Sequence, residues 1–140
     1  MSLDRIFNIA GSALNAQTTR MNTTASNLAN AGTVTGKENE AFRAKRTVFK
    51  TIMEGQQKAH EQGYAGGVRI EKITDDPSPI RKMSEPGNPM ADKDGYVYLA
   101  NVNEMTEMVE MMAAARSYQN NVEVMNTAKT LLLKTLQMGQ

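Results

Sequence analysis

Over the opening stretch of this chain apolar side chains recur at the heptad interval. Leu3, Phe7, Ala10, Leu14, Gln17, Met21, Thr24, Leu28 and Ala31 follow one another at alternating steps of four and three. That spacing keeps one stripe of an α-helix turned toward a partner helix. Two of the nine, Gln17 and Thr24, are polar. The positions around the stripe are as informative. From Ile6 to Gly36 the single charged residue is Arg20, and Ala, Ser, Thr and Asn fill most other places. A helix facing water is normally covered by Lys, Glu and Arg, whereas a membrane span is continuously apolar. Small uncharged polar groups on every face predict a helix held by protein on most sides, its Asn and Thr rows exchanging hydrogen bonds with neighbouring helices.

The interval returns at the far end with larger residues. Met108, Met111, Ala115, Tyr118, Val122, Met125, Lys129, Leu132 and Leu136 step by three and four, with Lys129 the misfit. Met105, Met112 and Leu133 lie in a second stripe with Gln119 and Asn126. The resulting face is broad enough for more than one neighbour, and methionine is a flexible filler at non-equivalent contacts. Each predicted helix has about 30 residues and a length of roughly 45 Å. The predicted fold is mainly α. Residues 1–31 and 101–140 form N- and C-terminal helices paired as an antiparallel coiled coil, and residues 32–100 form an extended, loop and short β-strand segment.

Between the helices the pattern breaks. Ala31-Gly32-Thr33 ends the first helix, and Phe42, Ala44, Val48 and Phe49 scatter through a charged run that reads as extended. Gly55 to Gly67, rich in Gly and Gln, reads as a loop. Val68 and Ile70 alternate with Arg69 and Glu71 as one strand, and Tyr96 to Leu99 supplies another. Pro77, Pro79, Pro86 and Pro89 forbid a long helix between them. This middle carries too few large apolar residues to bury an independent core.

Composition narrows the chemistry. With 16 basic and 15 acidic residues in 140, the chain has no nucleic-acid footprint. Arg43, Lys45, Arg46 and Lys50 cluster locally and read as a solvated or subunit-facing edge. There is no cysteine and one histidine, His60, so disulfides, thiol catalysis and histidine triads are excluded within one chain. Asp92-Lys93-Asp94-Gly95 resembles the centre of a calcium loop, but the flanking ligand positions fall on Met90 and Asn101, and a turn is the better reading. Gly32-Thr33-Val34-Thr35-Gly36-Lys37 has the wrong spacing for a phosphate loop, and Glu38 stands where a hydroxyl is required. Asn22-Thr23-Thr24 is a glycosylation sequon placed inside a predicted helix. The longest aliphatic run, Leu131 to Leu133, is far short of a membrane span. The amino terminus lacks the apolar core of a cleavable secretory signal. No catalytic, cofactor or metal residue is expected.

Ser12-Ala13-Leu14-Asn15-Ala16-Gln17, Arg20-Met21 and Ala25-Ser26-Asn27-Leu28-Ala29-Asn30-Ala31 resemble the amino-terminal signature of flagellar basal-body rod and hook proteins. Further along, Glu85-Pro86-Gly87-Asn88-Pro89, Ala91-Asp92, Gly95-Tyr96-Val97, Asn101-Val102-Asn103 and Glu107-Met108 resemble the proximal rod members of that family. So do Ala115-Arg116-Ser117-Tyr118-Gln119 and Asn121-Val122-Glu123-Val124-Met125-Asn126-Thr127. The loop at 55–66 carries no such likeness, and Ala100 stands where the family pattern has proline.

The resemblance implies a structural subunit of the hollow periplasmic rod that transmits torque from motor to hook and filament. Its implied partners are other rod subunits, copies of itself, the MS ring and the flagellar type III export apparatus, through which subunits travel without a cleaved signal. No nucleic acid, small-molecule substrate or cofactor is implied. The expected assembly interface comprises Leu3, Phe7, Leu14, Met21, Leu28, Met108, Met111, Met112, Tyr118, Val122, Met125, Leu132 and Leu136. Competing readings are another rod-family paralogue, a coiled-coil export chaperone or adaptor, and a peptidoglycan-cleaving enzyme. The last lacks a carboxylate pair or metal cluster at recognisable spacing.

Overall fold

The computed structural model describes residues 3–52 and 66–139. Helix α1 spans Leu3–Asn30 and helix α2 spans Glu104–Met138. Between them lie five short strands: β1 (Val34–Thr35), β2 (Lys45–Ile52), β3 (Gly67–Asp75), β4 (Arg81–Ser84) and β5 (Tyr96–Leu99). The architecture is two long helices around a small β-rich middle.

Several polar side chains of α1 are satisfied within the helix, without charge. Thr18, Thr19, Thr23 and Thr24 each donate a hydroxyl proton to the carbonyl four residues earlier, at 2.9–3.0 Å. Asn30 does the same with its amide, to Ser26 O at 2.8 Å. The Thr rows therefore bond within their own helix, where the sequence pattern suggested exchange between helices. A short hydroxyl reaches its own i−4 carbonyl more readily than a neighbour's. The helix stops where Thr33 donates both its N–H and its hydroxyl to Asn30 O, at 3.1 and 2.7 Å.

Strands β2 and β3 form an antiparallel pair whose register shifts between Val48 and Phe49, so that Val48 faces Lys72 while Phe49 faces Ile70. The pair lies along α1. The Val68 N–H donates to Ser12 Oγ at 3.1 Å, and Gly67 sits so close to Ser12 that a Cβ there would meet its hydroxyl at 2.6 Å. The basic cluster belongs to this hairpin. Lys45 pairs with Asp75, Arg46 with Asp76, and Lys50 with Glu71, while Arg43 donates to Ser78 O. All four cations tie the hairpin together, with Lys50 exposed and Arg43, Lys45 and Arg46 half-buried; the sequence suggested a solvated or subunit-facing edge and carried no sign of these ties. The acidic partners of Lys45, Arg46 and Lys50 lie 30, 30 and 21 residues away in sequence.

The second sheet has the order β1-β5-β4, all antiparallel. Strands β4 and β5 are joined by the Pro-Gly-Asn-Pro segment, which folds as two consecutive turns closed by Asn88 N–H to Glu85 O and Ala91 N–H to Asn88 O. Asp92 to Gly95 is a turn, as its composition predicts: Asp92 Oδ1 accepts the N–H groups of Asp94 and Tyr96 at 2.9 and 2.8 Å. Gly95 takes φ +80° with Pro86 packed 3.3 Å from where a Cβ would stand. Ala100 continues the β1–β5 ladder by donating its N–H to Thr33 O at 3.4 Å, a bond that proline could not make.

The core is built of small residues. Ala31, Ala44, Ala100 and Val102 form one buried cluster, with Phe42 packed against it. Each residue of the Asn-Val-Asn motif has a separate task there. Asn101 accepts the Ala44 N–H at 2.7 Å and donates to Asp76 O and Ser78 O. Val102 is buried in the cluster. Asn103 caps α2, accepting the Thr106 N–H at 3.1 Å, with Glu104 and Glu107 in the first turn where the helix dipole favours acids.

Candidate assembly interface

The two helices pack on one another, and α1 also carries the β2–β3 hairpin. On α2 the buried side chains are Glu107, Ala114 and Ala128. Half-buried Met111, Tyr118, Asn121 and Met125 fall between them. At three steps the most buried position is offset by one residue from the predicted stripe, with Glu107, Ala114 and Ala128 further inside than Met108, Ala115 and Lys129, while Asn121 and Val122 are both half-buried. Lys129 is thereby exposed, and the misfit disappears.

The largest fully buried side chain in the described residues belongs to a glutamate. Glu107, 0 % exposed, receives Arg46 Nη1 on one oxygen at 2.6 Å and Asn27 Nδ2 on the other at 2.9 Å. Asn27, 1 % exposed, also exchanges two bonds with the Lys45 backbone, accepting its N–H at 2.8 Å and donating to its carbonyl at 2.9 Å. Arg46 reaches on to Asp76 at 3.1 Å. Its pKa is raised despite the opposing effect of burial, because Glu107 and Asp76 both hold the cation. One polar network thus fastens α1, β2, α2 and the turn after β3. A buried charge is tolerable only with such partners.

Beside this network a groove of about 410 Å³ is lined by Arg20, Thr23, Lys45, Arg46, Phe49 and Glu110 among others. Its cations are engaged within the chain. Arg20 pairs with Glu110 across the helices and lies 6.0 Å from the Phe49 ring centre. Among the described residues no group of His, Cys, Asp and Glu could hold a metal ion, and no helix is long and apolar enough to cross a membrane. His60 lies outside the described residues.

Of the residues expected at an interface, Leu3, Phe7, Leu14, Met21 and Leu28 are half-buried on α1, as are Met111, Tyr118, Val122 and Met125 on α2. Met108, Met112, Leu132 and Leu136 are exposed. They join Met105 (72 % exposed) and Val109 near the start of α2, and Leu131, Leu133 and Met138 (85 %) near its end, in two exposed apolar groups separated by a stretch whose one exposed large apolar residue is Val124. Exposed apolar groups of this kind mark a contact with another molecule. The Asn27–Arg46–Glu107 network was missed in the sequence. Its signal there was Glu107 itself, an acid where the helical stripe calls for an apolar residue.

Two family models match the chain. Residues 7–36 match the family described as flagella basal body rod protein, and residues 93–138 match flagellar basal body rod FlgEFG protein C-terminal. Along its whole length the chain is 52 % identical over 140 residues to the flagellar basal-body rod protein FlgC of Yersinia enterocolitica, covering all of both chains. The chain belongs to the FlgC family of flagellar basal-body rod proteins. The FlgC protein of Salmonella typhimurium (strain LT2) is 49 % identical over 140 residues, again covering both chains in full. That of Buchnera aphidicola from Acyrthosiphon pisum is 46 % identical over 142 residues, with both chains covered. The first family match takes in nearly all of α1 with β1. The second takes in the Asp94–Gly95 turn, β5, the Asn-Val-Asn cap and α2. The two matched segments supply Asn27 and Glu107 to the buried network, while Lys45, Arg46 and Asp76 come from the part of the chain between them.

Proposed function

We propose that this FlgC-family chain is a structural subunit of the flagellar proximal rod, and that its activity is cohesion. Copies of it and other rod subunits pack into the hollow shaft that carries torque from the motor to hook and filament. The observation that carries this reading is the apolar surface of α2, which a water-soluble monomer would be expected to cover. Contacts between the helices descend α1 as they climb α2, Asn27 meeting Glu107 and Arg20 meeting Glu110. This supports an antiparallel coiled coil made by residues 1–31 and 101–140, with residues 32–100 a satellite tied to it through Arg46 and Asn101.

In that arrangement Leu3, Phe7, Leu14, Met21 and Leu28 and the half-buried residues of α2 line the seam and its margins, while Met108, Met112, Leu132 and Leu136 meet neighbours. Subunits arranged around and along an axis use different patches on their two sides, the heterologous geometry that builds helical arrays. The subunits leave the cytoplasm through the flagellar type III apparatus without a cleaved signal, work in the periplasm, and contact the MS ring at the rod base. No step is chemical. The test is deletion and complementation: cells lacking the gene are expected to lose swimming, regain it with the intact gene, and carry the protein in purified basal bodies. Swimming without the gene, or basal bodies lacking the protein, overturns the proposal.

A further inference from the structure

We draw no further inference here: the strongest candidate, the exposed apolar stripe of Met105, Met108, Val109 and Met112 on the first turns of α2 with the groove of about 500 Å³ beside it, carries nothing, since Arg81 and Glu104 line that groove together and nothing in the structure shows what covers the stripe.

Discussion

Glu107 is where a single side chain decides most. Buried to 0 % exposure, its carboxylate depends on Arg46 and Asn27, and both partners come from other elements. Removing one partner of a buried pair leaves an uncompensated charge and costs about 3 kcal/mol, whereas replacing both ends by apolar residues can be nearly neutral. Arg46→Met is therefore expected to cut helical content sharply at fixed concentration, measured by far-ultraviolet circular dichroism, and Arg46→Met with Glu107→Leu to recover much of it. Additive losses in the double variant would show that the pair is not coupled. The Asp92 turn makes a second residue-scale prediction. The Tyr96 N–H, first, and then the Asp94 N–H, Tyr98 hydroxyl and Lys82 hold the Asp92 carboxyl below its ordinary 3.8, with burial opposing them. In the unfolded chain those donors are gone, so the unfolded state binds the proton more readily. The stabilisation is fully present above pH of about 4 and is lost as pH falls through the depressed folded value. Denaturation at a series of pH values is expected to show that acid limb, and Asp92→Ala to be less stable above it with a shallower slope below.

Elements differed in how far they could be read in advance. Both helices were legible because heptad spacing is local, and the strands at Val68–Ile70 and Tyr96–Leu99 because alternation is local as well. The face of α2 that turns inward was not. An apolar stripe prefers Met108 to Glu107, and what makes Glu107 acceptable inside lies 61 and 80 residues away, at Arg46 and Asn27. The same holds for the basic cluster, whose acidic partners Asp75, Asp76 and Glu71 arrive only when β3 folds back on β2. Strand β1, two residues long, had no periodicity to find and is recognised by its pairing with β5. The offset of the α2 stripe is testable. Ala114 is 0 % exposed, so Ala114→Leu is expected to overpack the helix contact and cost about 1–3 kcal/mol. Met108→Gln, at an exposed position, is expected to change the stability of the isolated chain by no more than about 0.5 kcal/mol. Denaturant midpoints check both, and the reverse order would restore the stripe through Met108.

The whole molecule keeps its small residues inside and many of its large apolar ones outside. Ala10, Ala16, Ala31, Ala44, Ala100, Ala114 and Ala128 make up most of the buried apolar set, with Val97 and Val102 the larger members. Leu131, Leu133, Leu136 and four methionines of α2 are exposed. Helical stability comes mostly from packing, so a chain with this distribution gains much of its order from neighbours. The helical signal of the purified protein is therefore expected to rise with concentration, and a sharply melting, fully helical monomer at high dilution would contradict the cohesion reading. Two substitutions divide the inner seam from the outer surface. Leu28 is half-buried within the chain, and Leu28→Asp buries a carboxylate with no cation provided for it, a cost of several kcal/mol that is expected to remove both folding and swimming. Leu132 stands past the last buried residue of α2, so Leu132→Asp is expected to leave the isolated chain's helical signal unchanged while abolishing swimming halos, because the same carboxylate is buried only when another subunit covers it. Halos equal to wild type in Leu132→Asp would mean that nothing covers that end of α2 in the working rod.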